Sequence, residues 1–292
     1  MSTDKLQSLI RKLKNPAAVS FSLDQTQLPP QYSAVEATIT RAYCLYAKHL
    51  LTALKGIVPA VRFGFGSFVL KGQEGLACLQ ELLSYATDQG FYVLMDVPEL
   101  LSGQDAALAA DALLGEASLW HFDALIISGY IGSDAIKPFA SKLKAMDKAV
   151  FVVLRTANKS APELQELLTG SRLVYTAAAD MVKHLGEPLL CKCGYSRIGG
   201  VASATSADSL RTLRGKNPNM FLLIDGLDNS GANAKNCSAG FDKLGHGAIV
   251  CAGTSITSAW KENDNNEQDA VDAAVQAAER MKKNLTRYVT VL

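Results

Sequence analysis

Asp24, Arg62, Asp96, Ser128, Arg155, Asp225 and the pair Gly253–Thr254 share one property: each closes or closely follows a short apolar run. Thr156 and Asn158 come directly after Arg155, and Ala204 with Thr205 ends a further run. Three carboxylates and two guanidiniums gathered in one place would make a polar mouth. Such a mouth can hold a small ligand, set an acid or base against it, and bind an anion locally. Any one of these residues can equally serve as half of an ion pair at a rim, so the set points to a site without fixing a reaction.

Other chemistry-bearing residues carry less. His49, His121, His184 and His246 have no ligand spacing, and Cys191 with Cys193 forms C-x-C without a second pair, so neither a metal nor a redox centre is expected. The segment 64–68 (GFGSF) has two glycines but not the dinucleotide fingerprint, and a tight loop explains it as well. There is no Walker motif, no G-x-S-x-G and no basic patch interleaved with aromatics. No cofactor is expected.

The elements that must position the polar set are legible from the apolar runs. These are 17–23 (AAVSFSL), 57–63 (IVPAVRF), 91–96 (FYVLMD), 123–128 (DALIIS), 149–154 (AVFVVL), 198–203 (IGGVAS), 220–225 (MFLLID) and 247–251 (GAIVC). They are nearly continuous rather than alternating, as strands buried on both faces of a parallel sheet must be. Between them the spacing predicts helices over 34–55, 72–89, 102–114, 133–147, 206–215 and 268–285, with an extra helix around 173–185 before the sixth strand. Eight strand–helix units in this length fit one α/β domain, a (β/α)8 TIM barrel over 1–292. A doubly wound sheet with fewer strands is the alternative. In the barrel, functional side chains stand at the C-terminal ends of the strands, where the polar set falls.

Composition narrows the class. In 292 residues, 48% apolar and 20% charged, there is enough hydrophobic matter for a full core. The 29 basic and 28 acidic residues leave a net charge of +1, so no field of one sign would steer nucleic acid or an anionic membrane. The opening MSTDKLQSLIRKLKN has no apolar leader, and the six cysteines are scattered. The expectation is a cytoplasmic protein with reduced thiols, binding neither nucleic acid nor membrane.

Several segments resemble the longer bacterial class of orotidine 5′-phosphate decarboxylases. They are IVPAVRF at 57–63, ISGYIGSDAIKPF at 127–139, FVVLRTANKSAPELQEL at 151–167 and YSRIGGVASAT at 195–205. SLDQTQLP at 22–29 is similar to the family's opening, and the stretch from FLLIDG to AIVCAGTSITSAW is similar to its phosphate-binding end. The resemblance implies a barrel, decarboxylation without a cofactor in pyrimidine biosynthesis, and dimers whose sites share residues. It also implies an alternating Lys–Asp–Lys–Asp array, and a phosphate clamp after strands seven and eight.

On this sequence that array is largely replaced. The family's second-strand lysine falls on Arg62, and its D-x-K-x-x-D motif falls on 96–101, where only Asp96 is kept. Pro98 takes the catalytic lysine position, Leu101 the second aspartate, and Asp105 a threonine. Ser128 replaces an asparagine, Ser230 the glutamine of the phosphate loop, and Thr254, beside Gly253, the phosphate arginine. Asp24, Thr156 and Asn158 remain. Asp96 and Arg62 are thus the expected catalytic remnants; Asp24, Ser128, Thr156, Asn158, Asp105, Ser230, Gly253 and Thr254 are the expected ligand contacts. Pro98, Leu101, Phe63 and Phe65 are candidates to narrow the mouth.

Four readings follow from this pattern. The first is a pseudoenzyme with weak or no decarboxylase activity, its pocket open to a small nucleotide-like ligand. The second is a genuine decarboxylase with a substituted site. A third is a barrel enzyme for another small ligand without a phosphate, using Asp24, Arg62, Asp96 and Asp105. The fourth is a homodimer or a regulatory partner of a paralogous subunit.

Overall fold

The computed structural model describes residues 2–97, 100–229, 231–262 and 270–292. Parallel strands β1 (Ala17–Phe21), β2 (Ala60–Phe63), β3 (Tyr92–Asp96) and β4 (Ala124–Ser128) form one half of a closed barrel. Strands β5 (Ala149–Val153), β6 (Ile198–Ser203), β7 (Leu222–Asp225) and β8 (Ala248–Ala252) complete it. Every apolar run predicted from the sequence carries one of these strands. Closure comes from β1 against β8, with Ala17 opposite Val250, which excludes the doubly wound alternative.

The strands are apolar throughout because both faces are covered: helices pack outside, and side chains fill the barrel inside. Phe151 of β5 meets Phe221, just before β7, edge to face at 6.1 Å. Strand β6 passes between them only because it carries glycine there. A Cβ on Gly199 would stand 2.5 Å from the Phe221 carbonyl oxygen and 2.7 Å from the Phe151 ring.

The end of the barrel where strands begin is covered by the helix Ser2–Leu13, which the sequence reading did not foresee. Its Leu6 and Ile10 are fully buried. Its polar residues bond to strand starts: Ser2 Oγ to the Asp123 carbonyl at 3.0 Å, Lys5 Nζ to the Asp123 carboxylate at 2.8 Å, and Gln7 Oε1 from the Gly247 N–H at 3.2 Å. The opposite end, where strands stop, is left for chemistry.

Helices run over Ile39–Leu54, Gly72–Asp88, Gly103–Leu114, Ala207–Lys216 and Ala270–Thr286, close to expectation. The first begins later than predicted because Thr38 caps it, its hydroxyl accepting the Arg41 N–H. The predicted helix 133–147 is not continuous. A 3-10 turn (Ser133–Ala135) and the four-residue Lys137–Ala140 stand there, followed by turns that end at Asp147, with φ 50°. The extra helix before β6 is present as Val174–Gly186. An unforeseen antiparallel ribbon precedes it, Leu168–Thr169 against Arg172–Leu173, turning at Gly170 with φ 63°. Among the described residues no helix is long and apolar enough to cross a membrane.

Candidate active site

The register of the barrel brings together residues far apart in sequence. Arg62, near the end of β2, meets Asp96, the last residue of β3, in two parallel bonds: Nε to Oδ1 at 2.8 Å and Nη2 to Oδ2 at 2.9 Å. Its third nitrogen, Nη1, crosses the mouth to Asp225 Oδ2 at the end of β7, at 2.6 Å. Strand β7 stands across the ring from β2, beyond β1 and β8, so this guanidinium spans the opening. Burial alone would pull the Arg62 pKa down; the facing carboxylates of Asp96 and Asp225 reverse that and hold it well above its ordinary value. The charge at this point is therefore permanent, and it is shared between two acids.

Around this clamp lie the other strand ends. Asp24 follows β1 and accepts the Thr26 N–H at 2.8 Å, which holds its carboxyl below the usual range. After β5, Arg155 is buried and turned to Glu166, with Nε and Nη2 both 2.8 Å from one carboxylate oxygen. It is a structural ion pair rather than a free cation at the mouth, the outcome anticipated for some of the rim residues. Thr156 is fixed by Gln165, whose Oε1 takes the Thr156 N–H at 2.8 Å and whose Nε2 donates to its hydroxyl at 2.8 Å. Asn158 accepts the Thr156 hydroxyl at 2.5 Å and donates to Ser160 Oγ at 2.8 Å. Ser128 ends β4, its hydroxyl 3.4 Å from the Tyr130 N–H.

Strands β7 and β8 end in facing loops. The Gly253 N–H donates to Asp228 Oδ2 at 2.7 Å, and the Thr254 hydroxyl lies 3.4 Å from the same oxygen. Asp228 was not singled out from the sequence, although it stands three residues past Asp225 in a loop turned by Gly226 at φ 78°. Neither was Gln165, whose signal was its place in the 151–167 segment.

Asp105, Leu101, Phe63 and Phe65 have other surroundings. Asp105 is exposed and bound to Ser102, which starts the helix Gly103–Leu114. The Ser102 hydroxyl donates to Asp105 Oδ2 at 2.7 Å and accepts the Asp105 N–H at 3.1 Å. This is a capping arrangement, and the S-x-x-D spacing was its signal. Leu101 is 80% exposed, and Phe63 is wholly buried in the core. Phe65 packs edge-on to Trp120 at 6.0 Å, in the tight turn that the GFGSF segment makes as the short helix Phe65–Val69. Pro98 and Ser230 lie outside the described residues.

Two of the four histidines have hydrogen-bond partners among the described residues. His49 Nδ1 pairs with the Tyr32 hydroxyl at 2.8 Å, and His246 Nε2 with the Leu292 carbonyl at 2.8 Å. Cys191 is buried, and burial raises the thiols of both Cys191 and Cys193.

No family model matches the chain. It is 32% identical over 275 residues to the orotidine 5′-phosphate decarboxylase of Rhodopirellula baltica, covering 89% of this chain and 91% of that one. It is 25% identical over 291 residues to the enzyme of that name from Clostridium novyi, covering 97% and 98%. Among solved structures, an orotidine-monophosphate decarboxylase from Toxoplasma gondii aligns with a TM-score of 0.81 at 20% identity, covering 98% of this chain and 96% of its own. One from Streptomyces avermitilis aligns at 0.79 and 21%, covering 99% and 95%. These two share the barrel. The full-length sequence match to the Rhodopirellula protein goes further: the chain belongs to the orotidine 5′-phosphate decarboxylase family.

Proposed function

We propose that this chain is a family member whose decarboxylation of orotidine 5′-phosphate is lost or strongly reduced, its mouth kept as a pocket for a small nucleotide-like ligand. The Arg62 clamp carries this reading. Decarboxylation breaks a C–C bond, expels CO2 and leaves an electron pair on a ring carbon, which must then receive a proton. A guanidinium is a poor source of that proton at any physiological pH. This one, held by Asp96 and Asp225, is poorer still. The lysine that the family resemblance places two residues after Asp96 is Pro98, which has no proton to give. Loss of a proton donor costs on the order of 10²–10⁴ in rate, and Thr254 in place of an arginine removes a bidentate phosphate partner.

The alternative, a working decarboxylase with Arg62 and Asp96 as a substitute array, has in its favour that charge alternates at this point, Asp96–Arg62–Asp225. Assay of purified protein with orotidine 5′-monophosphate separates the two: activity abolished by Arg62→Met or Asp96→Ala supports the alternative.

A self-association reading rests on the outer face of the helix Gly103–Leu114. Ala107, Leu108 and Ala112 are exposed there, next to Leu101, and Leu108 is 62% exposed. That face, where Leu108 and the alanines lie among exposed Gln104, Asp105 and Asp111, suits a second copy of the chain or a paralogous subunit. Sedimentation at increasing concentration tests it, with dimerisation weakened by Leu108→Glu.

A further inference from the structure

Barrel proteins often seat phosphate where the loops after the seventh and eighth strands meet, on backbone N–H groups. In this chain the corresponding donors already have an anion. The Gly253 N–H points to Asp228 Oδ2 at 2.7 Å, and the Thr254 hydroxyl lies 3.4 Å from the same atom. We infer that Asp228 is a specificity-determining residue, its carboxylate occupying the anion seat so that the mouth takes an unphosphorylated, nucleoside-like ligand and rejects the phosphate ester. This rests on the reading that the mouth still receives a nucleotide-like ligand.

Three observations converge on that assignment. Described residues on both sides of Asp228 and further along its loop are held by hydrogen bonds. Asn229 Nδ2 donates to the Ala157 carbonyl at 3.0 Å, the Asn229 N–H to Gly226 at 3.0 Å, and Asn236 Nδ2 to the Gly231 carbonyl at 3.1 Å. The fit at the seat is also close: a Cβ on Gly253 would already touch Asp228 Oδ2, at 3.5 Å.

The third observation is the charge around the seat. Asp24, Asp96, Asp225 and Asp228 stand at strand ends, where Arg62 is already shared by Asp96 and Asp225, Arg155 is held by Glu166, and Lys261 acts on Asp24. A phosphate entering there would have to displace the Asp228 carboxylate and lie near other carboxylates. A hydroxyl makes neither demand. Asp24, Thr156 and Asn158 offer acceptors and donors suited to hydroxyl groups, as on a ribose.

The test compares uridine, uridine 5′-monophosphate (the product of the family reaction) and orthophosphate by calorimetry and thermal shift, on wild type, Asp228→Gly and Asp228→Asn. The seat predicts that wild type binds the monophosphate no tighter than uridine. Asp228→Gly should gain about tenfold for the monophosphate, with uridine affinity little changed, and Asp228→Asn should fall between. Orthophosphate should raise the melting temperature of Asp228→Gly but not of wild type. Monophosphate bound far tighter than uridine by wild type overturns the inference. So does an Asp228→Gly protein that gains affinity for neither the monophosphate nor orthophosphate. Tight monophosphate binding by wild type without turnover of orotidine 5′-monophosphate removes the seat and leaves the loss of decarboxylation standing. Turnover by wild type together with the tenfold gain in Asp228→Gly does the reverse.

Discussion

Arg62 and Asp96 meet in a two-point contact, both bonds under 3 Å, at the mouth of the barrel and away from bulk water on most sides. Removing Asp96 leaves Arg62 with Asp225 alone and two of its nitrogens without their partner. Asp96→Ala is expected to cost about 2–4 kcal/mol, the lower end because Asp96 keeps some solvent contact. The urea midpoint should fall with an unchanged slope. Asp225→Ala, which removes a single bond to Arg62, one from the Gly226 N–H and a more exposed acid, should cost less. An Asp96→Ala midpoint equal to wild type would mean the clamp contributes nothing to the fold.

Gly199 gives a second prediction, on the barrel core. Any side chain there must push against the Phe221 backbone and the Phe151 ring. Gly199→Ala should destabilise by roughly 1–3 kcal/mol through overpacking, measurable by thermal or urea unfolding. Gly215, exposed in the helix Ala207–Lys216 with open space around its Cβ position, should tolerate alanine. Equal effects at the two sites would contradict the packing described.

Acid should weaken the fold through a few carboxylates. Burial pushes Asp242 up, but the Tyr195 hydroxyl at 2.6 Å and the N–H groups of His246 and Leu244 outweigh it, and its pKa is lowered. Asp147 is likewise lowered against burial by Arg197, and Glu81 by Lys48. A carboxyl with a depressed folded pKa contributes stability that is present above its unfolded value. That stability is lost as pH falls through the folded one, below about pH 4. Unfolding followed from pH 7 downward should show this loss, with a shallower acid slope in Asp242→Asn. An Asp242→Asn slope as steep as wild type would count against the assignment.

The thiols should be inert in the folded protein. Burial raises Cys193 and Cys237 to about 12, and Cys78 and Cys251 are raised as well. Thiolate is the reacting form, so a thiol reagent at neutral pH should label these four slowly in native protein. All six cysteines should react after denaturation. Fast native labelling of Cys237 would show that its surroundings open.

The barrel was legible because its strands are buried on both faces, which writes each of them as an unbroken apolar run. The run at 57–63 shows the limit: the strand itself starts at Ala60, since nothing in the run marks where pairing begins. The helix Ser2–Leu13, with Leu6 and Ile10 at helical spacing, precedes the first strand and so lies outside the strand–helix alternation that makes the barrel legible. The segment 133–147 reads as one helix because its apolar spacing runs through it, while the backbone divides into a 3-10 turn, the short helix Lys137–Ala140 and turns that end at Asp147. At the site, strand-end logic found Arg62, Asp96 and Asp225 individually. Their joining is a matter of barrel register across 163 residues, which no local pattern carries. Asp228 was missed for a related reason: its partner, Gly253, contributes a backbone N–H, and a backbone donor leaves no mark in the sequence.

The measurement that bears most directly on the account is turnover of orotidine 5′-monophosphate by the purified, folded protein, followed by absorbance. The account predicts no decarboxylation above background in wild type, and none lost in Arg62→Met or Asp96→Ala. Clear turnover that disappears when either residue is changed would contradict it.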